Sequence, residues 1–99
     1  MLNIEKNIND GKAVFALGGR LDTTTAPELE KELRDSLDGV DELILDFKEL
    51  DYISSAGLRV LLSAQKVMTK QGSMKVTQVN DTIMEIFEVT GFSEILTIE

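Results

Sequence analysis

Between Leu43 and Met68 the apolar pattern changes period once, at a pair of serines. Leu43 to Phe47 is apolar apart from Asp46, and a run that short is a buried strand rather than a helix. Leu50 to Ile53 continues extended. From Leu58 the apolar positions Leu58, Leu61, Leu62, Ala64, Val67 and Met68 repeat with a helical period until Lys70 and Gly72 close the segment. Met74 to Val79 then alternates as a strand. A strand that runs into a helix and returns as a strand is the unit of α/β folds, in which the sheet is at least partly parallel and helices cover its apolar surface.

The flanks extend this alternation. Residues 2 to 8 and Ala13 to Leu17 are strand-like and are separated by the turn signal Asn9-Asp10-Gly11, so they read as a hairpin on an edge of the sheet, with Gly18-Gly19 breaking the pattern. Thr25-Ala26-Pro27-Glu28 matches a capping box, in which the threonine hydroxyl accepts from a backbone N–H and the glutamate reaches back. The proline just inside the start agrees with it. Leu29, Leu33 and Leu37 recur on one face of the helix that follows, and Gly39 supplies its stop. Asn80 or Asp81 caps a third helix carrying Ile83, Ile86 and Phe87 and ending at Gly91, and residues 95–98 add a last short strand. With 99 residues and neither linker nor repeat, the chain reads as one domain, 1–99.

Eighteen acidic against ten basic residues leave a net charge of −8. Such a field repels phosphate backbones and anionic headgroups, so neither nucleic acid nor membrane is expected as a partner. Histidine and cysteine are both absent, which removes the commonest general base, the commonest metal ligand, the thiolate nucleophile and any Ser-His pairing. Neither G-x-G-x-x-G nor G-x-x-x-x-G-K-[ST] occurs. No metal or cofactor is therefore expected, and the chain does not read as an enzyme. A phosphoacceptor receiver built on Asp46 or Asp51 would need an acidic pair after the first strand to hold magnesium, and Gly18-Gly19 stands there instead. With no basic, apolar leader and no run of membrane-span length, a cytoplasmic location is expected.

The serines, Ser54 and Ser55, sit where strand becomes helix, in DYISSAGLRVLL. An N-cap role explains one of them. A second serine, followed by the small Ala56 and Gly57, leaves the first turn open to an approaching group. A phosphate on a serine there would meet free N–H groups and the positive end of the helix dipole. Capping alone and a phosphate-bearing switch both fit this spacing.

DYISSAGLRVLL, together with GGRLDTTTAPELEKEL upstream and VTGF at residues 89–92, resembles the STAS family, the domain of bacterial anti-sigma factor antagonists, over nearly the whole chain. The resemblance implies a STAS-type mixed, partly parallel β-sheet with an N-terminal hairpin and helices mainly on one face. It also implies an antagonist that, when unphosphorylated, binds an anti-sigma factor serine kinase and so frees the sigma factor. Phosphorylation of a serine at the start of the second helix abolishes that binding, and a serine phosphatase restores it. By position the phosphoacceptor is Ser55, with Ser54 as second candidate. Relatives often carry an aspartate where this chain has Ser54, and some carry a hydroxyl residue where it has Ala56. These departures also admit a scaffold module of a stressosome-like assembly that is never phosphorylated. The implied partner-binding residues are Asp22, Thr23, Thr24, Ser54, Ser55, Ala56, Gly57 and Arg59, on a flat contact surface. Asp22 reads equally as a turn or cap aspartate, Arg59 as part of a solvated face, and Thr25 as occupied by its cap.

Overall fold

The computed structural model describes residues 2–99. The chain runs β1 (Leu2–Asn9), β2 (Lys12–Leu21), α1 (Ala26–Ser36), β3 (Glu42–Ile53), α2 (Ser55–Gln71), β4 (Ser73–Thr77), α3 (Asp81–Thr90) and α4 (Phe92–Ile95). Strand order in the sheet is β1-β2-β3-β4, with β1 and β2 antiparallel and the other two pairings parallel. The hairpin turns at Asp10 and Gly11, both at positive φ, the two-residue geometry whose twist matches the strands it joins.

One face of the sheet carries the core. Ala13, Phe15 and Leu17 of β2, Leu43, Leu45 and Phe47 of β3, and Met74 and Val76 of β4 are buried at alternate positions, the period of a pleated strand. They form one cluster with Leu29 and Leu33 of α1, Leu61 and Met68 of α2, and Ile83 and Phe87 of α3. The Phe47 and Phe87 rings are tilted with centroids 6.4 Å apart, a favourable aromatic geometry. Val14, Ala16, Ile44 and Asp46, which alternate with the core residues, stay half-buried. The helices therefore pack on one side.

Several boundaries differ from those read in the sequence. β2 does not break at Gly18-Gly19 but continues to Leu21, because β3 carries extra residues opposite it: the register shifts between Ala16 and Gly18 and again between Gly19 and Arg20. The buried positions of β3 accordingly step from Phe47 to Leu50 to Ile53. Bulges of this kind preserve pairing while re-aiming side chains. α1 takes Leu37 as its C-cap, ahead of Gly39, which lies in the turn beyond. Residues 95–98 form no regular strand. The chain makes the short α4 and then a single parallel bridge between Ile98 and Val76, whose N–H and C=O are satisfied by Thr97 and Glu99 at 2.8 and 2.9 Å. The C-terminal segment thus covers part of the β4 edge, where unpaired backbone groups would otherwise face out.

Candidate functional site

The parallel neighbours β2 and β3 end side by side. Leu21 pairs with Ile53, and the Ser54 N–H donates to the Leu21 carbonyl at 2.8 Å. The loop of residues 22–25 and the serine junction therefore share the carboxyl edge of the sheet, the edge at which α/β folds present functional groups.

The two serines have different surroundings. Ser54 has extended backbone, is half-buried and caps α2, its Oγ accepting from the Gly57 N–H at 3.4 Å. Ser55 is the first residue of the helix and is exposed. One serine is held by the helix start and the other is presented to solvent.

Gly57, expected in the contact surface, is instead buried. A Cβ at this position would lie 2.7 Å from Leu21 Cγ and 2.8 Å from Ile53 Cγ1, well inside the separation at which carbon atoms attract. The absence of a side chain lets the first turn of α2 settle onto the ends of both strands. Its place in the site is that of a spacer, and it offers a partner no side chain to touch.

Asp22 turns back on its own loop. Its Oδ1 accepts from the Thr24 hydroxyl at 2.8 Å, the Thr24 N–H at 3.0 Å and the Thr25 N–H at 3.2 Å, an Asx-type turn. Its Oδ2 lies 3.7 Å from Arg20 Nε, and the Arg20 guanidinium stacks over the Tyr52 ring at 4.4 Å from the centroid, a cation–π contact. The Thr24 hydroxyl, joined by the Thr24 and Thr25 amides, holds the carboxyl below its ordinary range against an opposing effect of burial.

The capping box does not form. Thr25 has helical backbone and makes no capping bond. Its buried hydroxyl accepts from the Asp22 N–H and donates to the Arg20 carbonyl, both at 2.8 Å, and so ties the loop to β2. The hydroxyl accepts from the Asp22 N–H where a cap would accept from a helix amide, and its own proton goes to the Arg20 carbonyl.

A furrow opens between α1 and α2, so the surface is grooved rather than flat. At the loop end it is lined by Thr23, Ala26, Pro27, Ala56, Arg59 and Val60, and it continues between the helices past Leu33, Ala64 and Val67. Glu30 and Val60 border both stretches. Of the expected residues, the furrow brings together Thr23, Ala56 and Arg59, while Asp22, Thr24 and Ser54 are held in the adjoining loops. Pro27, Val60 and Val67 were not anticipated at the site. Their signal in the sequence was only that of apolar positions on amphipathic helices, although Val67 is 42% exposed.

Arg59 is exposed and forms no ion pair among the described residues, in contrast with Arg20 and Arg34. Among the described residues no group of three or more acidic side chains is placed to hold a metal ion, and no helix is long and apolar enough to cross a membrane.

Comparison with known proteins bears on this geometry. The family model described as the STAS domain matches residues 3–99. BtrV of Bordetella bronchiseptica, described as a candidate anti-sigma factor antagonist, is 38% identical over 91 residues, which is 90% of this chain and 78% of that protein. The anti-sigma-B factor antagonist of Staphylococcus aureus is 30% identical over 97 residues, 96% of this chain and 90% of that one. The solved structures of SpoIIAA from Bacillus, an anti-sigma factor antagonist, share the fold at 17% identity. The unphosphorylated form gives a TM-score of 0.76 over 100% of this chain and 87% of that one, and the phosphorylated form 0.75 over 100% and 91%. With the family pattern spanning both loops of the site and every strand of the sheet, the chain belongs to the STAS domain family.

Proposed function

We propose that this protein is an anti-sigma factor antagonist. Unmodified, it binds an anti-sigma factor that is also a serine kinase and so releases the sigma factor; phosphorylation of Ser55 ends the binding. The observation that carries this reading is the contrast between the serines: Ser55 stands exposed on the first turn of α2 while Ser54 is used as the cap. The relatives named as antagonists support it, as does the existence of SpoIIAA in unphosphorylated and phosphorylated forms. Catalysis belongs to the partners. In the kinase step Ser55 Oγ attacks the terminal phosphorus of ATP, ADP leaves, and the hydroxyl proton passes to a base of the kinase. A phosphatase reverses it with water, releasing inorganic phosphate.

The switch needs no refolding. A phosphoserine adds about −1.5 to −2 charge to a chain already at −8, on the residue preceding Ala56 of the furrow lining. Docking would then desolvate an anion with no partner and set it against acidic groups of the other protein. Incubation with a cognate anti-sigma serine kinase and ATP, followed by mass-spectrometric localisation, should find the phosphate on Ser55. Ser55→Ala should bind and resist modification, and Ser55→Asp should lose binding. A Ser55→Asp protein that binds the kinase as tightly as wild type refutes the mechanism, and stable association into a larger assembly without any transfer points to a scaffold instead.

A further inference from the structure

We propose that Arg59 is the internal counter-ion of a phosphate on Ser55, so that modification both adds an anion at the start of α2 and withdraws the cation that stands at the furrow mouth. This inference rests on the reading of Ser55 as phosphoacceptor. Both residues lie on α2, four positions apart, and both are exposed. Residues so spaced share a helix face with Cβ atoms about 5–6 Å apart, and the anion preceding the cation is the favourable order. Arg59 forms no ion pair among the described residues, and it is the one basic side chain lining the loop end of the furrow.

The charged groups nearby leave this pairing open. Glu30 of α1 borders the same end of the furrow without holding the guanidinium in an ion pair. Asp22 is engaged by its own loop, with Arg20 beside it. The next basic residue along α2, Lys66, is nearly two turns further on. A guanidinium offers a planar fork that matches phosphate oxygens two at a time. Before modification that fork is free for an acidic group of the partner. Afterwards it is bound within the chain, and the balance between Arg59 and Glu30 at the furrow mouth gives way to a net negative charge.

The test uses the full chain synthesised with phosphoserine at position 55 and follows the second ionisation of the phosphate by phosphorus NMR at low ionic strength. The helix dipole and the neighbouring acids act alike in wild type and in Arg59→Gln, so their comparison isolates the guanidinium. The ionisation should lie higher in Arg59→Gln by roughly 0.2–0.4 of a pH unit. Arg59→Lys should restore part of the difference, and about 1 M salt should erase most of it. Identical titrations of wild type and Arg59→Gln at low salt overturn the proposal. Because the phosphate is installed synthetically, a kinase that never modifies Ser55 would sink the functional reading while leaving this measurement intact.

Discussion

Gly57→Ala adds a single methyl group at the point where the site is assembled. The new carbon would meet Leu21 Cγ at 2.7 Å, Ile53 Cγ1 at 2.8 Å and Leu21 Cδ2 at 3.0 Å. Leu21 and Ile53 are 0% and 1% exposed, so neither can swing out of the way into solvent. Overpacking of this kind costs roughly 1–3 kcal/mol. Replacing glycine within a helix returns at most about 1 kcal/mol of propensity, and less in the first turn. The two contacts from different strands place the cost toward the upper end, so the net loss should be about 1–2 kcal/mol. For a domain of this size that lowers Tm by roughly 5–15 °C, measured by calorimetry or by circular dichroism with urea unfolding alongside. A double-mutant cycle with Leu21→Ala identifies the cause, because that substitution removes two of the three close contacts. The penalty of Gly57→Ala should fall by about 1 kcal/mol or more in the Leu21→Ala background. A Gly57→Ala protein as stable as wild type, or a penalty unchanged by Leu21→Ala, would refute the spacer role.

Two further outcomes test the elements that frame the site. Asn80→Ala should cost about 1–2 kcal/mol, because its Oδ1 accepts from the Ile83 N–H at 2.8 Å while its Nδ2 donates to the Leu50 carbonyl at 2.9 Å; an unchanged urea midpoint would contradict this. Asp22 has its carboxyl held below the ordinary range by the Thr24 hydroxyl and loop amides, so its stabilising effect is present above the unfolded-state value and disappears as pH falls through the folded one. The Tm difference between wild type and Asp22→Ala should therefore be full near neutrality and shrink in acid, and a difference that stays constant between about pH 6 and pH 2 would count against a stabilising Asx-type turn at Asp22.

Local chemistry made much of this legible from the residues alone. The single change of period across Ser54 and Ser55 located the β3–α2 junction, Asn9-Asp10-Gly11 marked the hairpin turn, and Asn80-Asp81 marked the start of α3, where the fold makes Asn80 the cap. Each of these depends on interactions within a few residues, which any sequence window contains. The short apolar run Leu43 to Phe47 likewise marked β3 as a strand by its length, while the burial of Leu43, Leu45 and Phe47 at alternate positions emerged with the fold.

The remaining features depend on what lies across the fold. Gly18-Gly19 resembles a strand break in isolation, yet β2 continues through it because the bulged partner strand supplies matching hydrogen bonds. Thr25 satisfies a capping motif on paper, yet its hydroxyl bridges the Asp22 N–H and the Arg20 carbonyl, both at 2.8 Å, and so ties the loop to the end of β2. For Gly57 the sequence suggested a poor helix former that leaves the first turn open to a partner. Its purpose lies in the side chains of Leu21 and Ile53, residues that meet beneath it only once parallel strands are in register. A chain's own neighbours write its periods and turns, whereas the furrow, the latch and the spacer come from atoms brought together by packing.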